Sequence, residues 1–422
     1  MADSVQIPVS SRPPQQPGSA LAPLHEPLFR SLWIAAVISY TGTWMQNVGA
    51  GWLMTTLTMS PFKIGLVQAA ATVPVFLVIL PAGALADMVD RRRLLLLAQT
   101  WMVFASAILG LLTLFNLVTP WVLLLFTFLL GLGSVMNDPA WQAITPEIVS
   151  AGQHASAVAL NSAGFNVARA VGPALGGLVV AAAGCGTTFL LNALSFFGVI
   201  LFLYHWKRKG KAGVRSERVF QAIKTGVRYV RQSSTVKSVL IRTVTFSLAA
   251  SAIWALLPII ARPHGPTGYG LLVGSFGTGA LAGAAVLPRL KRRMSVDAVV
   301  AAAIVIFAAA TFGAGEVHRF GPLCAILFVG GTAWIAILAC LNVAAQTMSP
   351  DWVRARCLSM YILALQGGMA LGSTAWGALA AKVGVPTALL GSAIALLVGL
   401  STIGKHRLSA RDLELAPSVV RD

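Results

Sequence analysis

The chain has 422 residues, of which 57% are hydrophobic and 10% charged, with a formal net charge of +18. Its mean hydropathy is +0.79. A soluble domain this large would carry roughly a quarter charged residues, so the composition excludes one and points to a chain that crosses a membrane many times. The positive charge does not indicate nucleic acid, because a nucleic-acid surface gathers its bases on one soluble domain and none is present.

Residues 1–28 contain Pro8, Pro13, Pro14, Pro17, Pro23 and Pro27 and no apolar core, which is the pattern of a disordered cytoplasmic tail and not of a signal peptide. Twelve apolar stretches follow, at about 31–57, 64–86, 94–117, 120–143, 156–182, 187–206, 238–261, 269–288, 297–315, 321–345, 356–381 and 386–404. Each meets the roughly 20 residues a membrane helix requires. Thr119-Pro120, Ala183 to Gly186 and Arg262 to Pro266 read as short turns between neighbours. The expected fold is therefore an all-α polytopic membrane protein with twelve transmembrane helices. A barrel is excluded, since its strands would be shorter and alternate in polarity.

The bases lie almost wholly on one side of these helices. Arg12, Arg30, Arg91 to Arg93, ten bases from Lys207 to Lys237, Arg289, Lys291 to Arg293, Arg354, Arg356, Lys405, Arg407, Arg411 and Arg421 share the side of the termini. Lys63, Arg262, Arg319 and Lys382 fall on the other, and Arg169 and Arg242 fall within helices. The positive-inside rule then sets both termini in the cytoplasm.

The chain also repeats. A shift of about 200 residues pairs Gly83 with Gly283, Gly172 with Gly372, Gly177 with Gly377 and Gly184 with Gly384. A nearby shift pairs Thr145-Pro146-Glu147 with Ser349-Pro350-Asp351, where Thr or Ser is expected to cap a helix that begins at the proline. Two pseudo-symmetric six-helix bundles result, 29–206 and 238–404, joined by a basic linker at 207–237 and followed by a tail at 405–422.

Gly83-Ala-Leu-Ala-Asp87-Met-Val-Asp90-Arg91-Arg92 resembles the loop between helices 2 and 3 of the major facilitator superfamily. Met88 replaces a usual base there and Asp90 a usual glycine, which leaves Asp90 free to pair with the arginines. Asp87 is expected to lie against the positive N-terminus of helix 11 near Arg354 to Cys357, a link between bundles that acts as a gate. The second copy has Leu287 where the acid would fall. Helix 5 carries Gly172-Pro173-Ala-Leu-Gly176-Gly177, which resembles the exporter motif of the same superfamily, with Ala168 in place of a further glycine. Its glycines suit tight packing across the bundles, and Pro173 removes a helical hydrogen bond.

Arg169 lies near mid-bilayer, where an arginine costs about 2.5–3.5 kcal/mol unless it meets polar partners. It is expected to face inward, with Ser162 near its azimuth and Asn166 one turn away, and to hold an anionic substrate group, a carboxylate, or carbonyls of a bent helix. Asp138 is the candidate for proton coupling, or else a structural residue at the Pro139 kink. Gln46, Asn47, Asn342 and Gln346 complete the candidate cavity wall. Trp44, Trp52, Trp141 and Trp334 suit interfacial anchoring or stacking on a substrate ring. Arg242 is expected to snorkel without a function. Cys185, Cys324, Cys340 and Cys357 show no metal-ligand spacing and read as small apolar residues.

Within the superfamily the chain is similar to the enterobactin-exporter-like group. The likeness rests on Gly42-Thr-Trp-Met-Gln-Asn47, the stretch ending at Asp87, Ala168-Arg169-Ala-Val-Gly-Pro173 and Leu191-Asn192-Ala-Leu-Ser-Phe196. It implies a secondary exporter of siderophore-like or drug-like molecules driven by protons, acting as a monomer without a cofactor. A lysolipid translocator of the same fold and a non-transporting sensor are the rivals. No nucleotide-binding or catalytic motif favours an enzyme.

Overall fold

The computed structural model describes residues 21–88, 90–206, 228, 233–349 and 353–405, with residues 80–88, 139, 143, 146, 151, 355, 404 and 405 described by their backbone alone. The helices are α1 (Pro27–Leu57), α2 (Pro61–Met88), α3 (Arg91–Leu114), α4 (Pro120–Ile148), a bent His154–His205, α7 (Ser234–Ile260), α8 (Gly265–Arg293), α9 (Val296–Glu316), α10 (Phe320–Thr347), α11 (Arg354–Val383), α12 (Val385–Gly399) and a short α13 (Ser401–Lys405). Within His154–His205 the chain turns back at Gly184, whose φ of 80° only glycine takes up without strain, giving α5 (154–183) and α6 (185–205). Gly384 makes the same turn between α11 and α12 at φ 87°. Two glycines 200 residues apart thus reverse the chain in the same way.

Among the described residues, nine stretches are long and apolar enough to cross a membrane. His154–His205 counts once among them although it holds two arms. Pro27–Leu57 and Arg354–Val383 are long but outside the nine. Both carry polar residues turned inward, such as Ser39, Gln46 and Ser373, all buried between helices. A hydropathy average does not distinguish a polar residue that faces protein from one that faces lipid.

α1 packs on the α5 and α6 arms, α3 on the α6 arm and on α4, and α2 on α4. In the second half α7 packs on α11 and α12, α8 on α10, and α9 on α10 and α12. The halves meet along two seams, α2 against α11 and α5 against α8.

Thr145 is a correction to the expected caps. α4 runs through Thr145-Pro146-Glu147 to Ile148, and the Thr145 hydroxyl accepts from Asn161 Nδ2 at 3.1 Å instead of starting a helix. A proline in the last turns removes one donor from a carbonyl close enough to the helix end to find another. Ser349 donates to the Ala345 carbonyl at 2.8 Å at the end of α10, and Pro350 and Asp351 lie outside the described residues. Most of the N-terminal tail and of the basic linker, and the tail after Lys405, lie outside them too.

Candidate transport pathway

The exporter motif divides its work between two neighbours. Gly172 and Gly176 press on α1 inside the first half, where a methyl on either would come within 2.7 Å of Trp44 Cβ or 2.8 Å of Met45 Cα. Packing across the halves was expected of both, and the structure corrects this. Pro173 and Gly177 carry the crossing contact instead. A methyl on Gly177 would sit 2.6 Å from the Pro266 carbonyl and 2.9 Å from Gly270 Cα, while one on Gly270 would overlap the Pro173 carbonyl.

The second seam repeats the arrangement. A methyl on Gly377 would lie 3.1 Å from the Pro61 carbonyl and 3.4 Å from Gly65 Cα, and one on Gly65 would lie 2.8 Å from the Ser373 carbonyl. Proline, glycine four residues on, and a facing glycine from the other half thus recur in both seams. Pro173 also leaves the Arg169 carbonyl without its helical donor. Gly277 of α8 covers that oxygen, since a methyl there would stand 2.6 Å from it.

These contacts seal the side opposite the termini. Below them the inner walls are accessible. On α1, Tyr40, Trp44, Asn47 and Gly51 follow one another at three- and four-residue spacing on the face opposite Gly42 and Gly49, which press on α6. Asn47 is exposed. On α5, Ser162 and Phe165 are exposed, and Asn166 donates to the Ser162 carbonyl at 2.8 Å. The Arg169 guanidinium lies 5.8 Å from the centroid of the Trp44 ring. Among the described residues it has no carboxylate partner and no hydrogen bond, and its Nε is buried with nothing to donate to.

Asp138 is exposed although it sits within α4, and it lies within electrostatic reach of the Tyr40 hydroxyl. Its neighbour Asn137 accepts from Gln99 Nε2 at 2.9 Å and also touches the Asp138 carboxyl. From the helix ends, Asp138 stands about 15 Å and Arg169 about 22 Å above the side of the termini. No ion pair joins them.

Gln46 is a further correction. It is 6% exposed, and its Oε1 accepts from Ser106 Oγ and Asn192 Nδ2, both at 2.6 Å, so it ties α1 to α3 and α6 away from the wall. Asn342 and Gln346 satisfy each other, with Gln346 Nε2 donating to Asn342 Oδ1 at 2.6 Å. The tryptophans are engaged internally and not as interfacial anchors. Trp141 meets Tyr40 edge-on at 6.5 Å, Trp52 stacks on Tyr269 at 6.3 Å, and Trp334 is enclosed by Phe246, Trp254, Phe276 and Phe307.

Gly83 and Asp87 fall in the last turns of α2, and their side chains lie outside the described residues. Asp90 caps α3, accepting from the Arg93 N–H at 3.0 Å. Arg91 pairs with Glu147 at 3.0 Å, and Arg92 donates to the carbonyls of Leu203 and Tyr204 at the end of α6, all within the first half. Arg242 does not snorkel. It is 3% exposed and pairs with Asp297 of α9, which lowers the cost of holding a charge among apolar side chains. Neither residue signals this alone, because 55 positions separate them.

Two similar helical halves that meet along two close-packed seams have the architecture of a membrane transporter of the major facilitator superfamily, the class to which the family match assigns the chain, and not of an enzyme. The chain belongs to the family described as transmembrane secretion effector, which it matches over residues 18–420. It is 27% identical to the multidrug efflux pump Tap of Mycolicibacterium fortuitum over 91% of this chain and 97% of that one. It is 24% identical to the enterobactin exporter EntS of Salmonella choleraesuis over 85% and 86%. Against the staphyloferrin A transporter of Staphylococcus aureus the identity is 25%, over 61% of this chain and 66% of the relative. Among solved structures, the fold resembles a bacterial homolog of the human lysosomal transporter Spinster in an inward-facing conformation, with TM-score 0.73, 13% identity and coverage of 92% and 98%. It also resembles the nucleoside transporter NupG, with TM-score 0.75, 12% identity and coverage of 90% and 100%.

Proposed function

We propose that this protein is a proton-coupled exporter of small anionic molecules, siderophore-like or drug-like, working by alternating access with both termini in the cytoplasm. The observation that carries the reading is Arg169, a cation deep in the membrane-spanning region with a buried Nε and, among the described residues, no carboxylate or hydrogen-bond partner, only the Trp44 ring beside it. Of the occupants open to it, an intramolecular carboxylate and its own helix carbonyls are absent among the described residues, which favours an anionic group brought by the substrate. Trp44, Tyr40 and Phe165 give the same wall an aromatic lining suited to a ring-bearing molecule. The named cargoes of the relatives, siderophores and drugs, agree with this chemistry.

Asp138 is the coupling group. It is exposed, has no ion-pair partner among the described residues, and alternates between protonated and ionised as the pathway faces each side in turn. The test is flux in reconstituted vesicles under an imposed proton gradient. A gradient-driven flux of an anionic siderophore, reduced to gradient-independent leakage by Asp138→Asn, is the expected result. Flux unaffected by that substitution removes Asp138 from coupling, and binding without flux of any solute identifies a sensor.

A further inference from the structure

We infer that Arg262 is a latch that holds the pathway shut on the side opposite the termini. It lies in the turn between α7 and α8, in the second half, and its Nη2 donates to the carbonyls of Thr55 and Thr58 in the first, at 2.9 and 2.7 Å. These acceptors are specific to a helix end. α1 finishes at Leu57, and a helix leaves its last carbonyls without intrahelical donors. Thr55 Oγ1 donates to the Trp52 carbonyl at 2.6 Å, Thr56 Oγ1 to that of Leu53 at 2.8 Å, and the Thr58 N–H to that of Met54 at 3.1 Å. The Thr55 carbonyl is the next in line, and its donor comes from the other half. A guanidinium there also meets the negative end of the helix dipole.

The surrounding contacts extend the closure. Trp52 stacks on Tyr269 of α8, which is 7% exposed, and a methyl on Gly51 would lie 2.5 Å from the Tyr269 hydroxyl. Lys63, on the same side of the membrane, instead stands 5.9 Å from the Trp121 ring within its own half. Arg262 therefore adds a charged bridge between halves on a side where the positive-inside rule disfavours bases. Opening that side draws α1 away from the α7–α8 turn and returns both carbonyls and the guanidinium to water. The latch thus weights the equilibrium toward the state open to the termini.

This rests on the alternating-access reading, but its readout needs no substrate, so it stands or falls apart from the cargo. Ala255 of α7 is 1% exposed and lies 3.6 Å from where a methyl on Gly65 would be, inside the closed face. Ala255→Cys, in a chain with Cys185, Cys324, Cys340 and Cys357 replaced by alanine, reports opening through its rate of modification by a membrane-impermeant maleimide. Arg262→Gln, and Arg262→Met to retain the apolar stem, are expected to raise that rate at least several-fold, with Arg262→Lys between them and the parent. An unchanged rate in folded Gln or Met variant overturns the latch. Loss of folded protein in both makes Arg262 a folding contact and overturns it equally.

Discussion

Gln46 and Arg169 show how one residue property, polarity inside a membrane helix, leads to opposite roles. Gln46 accepts two hydrogen bonds from α3 and α6, so Gln46→Ala strands the Asn192 Nδ2 in the protein interior, while Ser106 keeps the Phe189 carbonyl as acceptor. The expected loss is about 1–2 kcal/mol. A lower melting temperature in detergent with an unaltered substrate range would bear this out. Arg169 has no such partners, and its removal is expected to act on cargo instead of stability. Arg169→Ala should reduce efflux of anionic solutes about tenfold more than of neutral ones, the scale of one lost charged contact. Arg169→Lys should recover part of the difference, because an ammonium restores charge without the planar fork. Competition assays with paired anionic and neutral probes decide the matter, and an equal effect on both removes Arg169 from the binding wall.

At the scale of helices, the seams depend on backbones that touch. Gly177 meets Pro266 and Gly270, and Gly377 meets Pro61 and Gly65. Side chains at these glycines push apart helices whose carbonyls have no room to move. Gly177→Leu and Gly377→Leu are each expected to cut transport by more than tenfold while the protein still reaches the membrane. Both should increase maleimide modification of Ala255→Cys, since each holds the same end ajar. Loss of transport without added labelling would locate the damage elsewhere. Of these contacts the exporter motif made Gly177 visible in the sequence, and the repeat paired it with Gly377. Gly65 and Gly270 went unmarked, because a glycine in a membrane helix is common and only its opposite number shows what it is for.

For the whole molecule, the spatial pattern follows from duplication. The turns at Gly184 and Gly384 and the paired seams set two similar halves against each other. The halves differ in what they carry. Arg169, Asn47 and Asp138 lie in the first, while Trp254, Phe276, Phe307 and Trp334 form an aromatic core in the second.

Length, hydropathy and glycine spacing determined by themselves that the chain is helical, crosses the membrane repeatedly, and is built twice over. These are local properties, since each helix must bury its own backbone polar groups in lipid whatever its neighbours are. Which polar residues face the cavity was decided only by the tertiary structure. It buried Gln46 among α1, α3 and α6, paired Arg242 with Asp297, left Arg169 without a carboxylate among the described residues, and set Arg262 on the end of α1. Partners such as Arg262 and Thr58 stand 204 residues apart, and no spacing along the chain encodes a meeting that exists only once the two halves have packed.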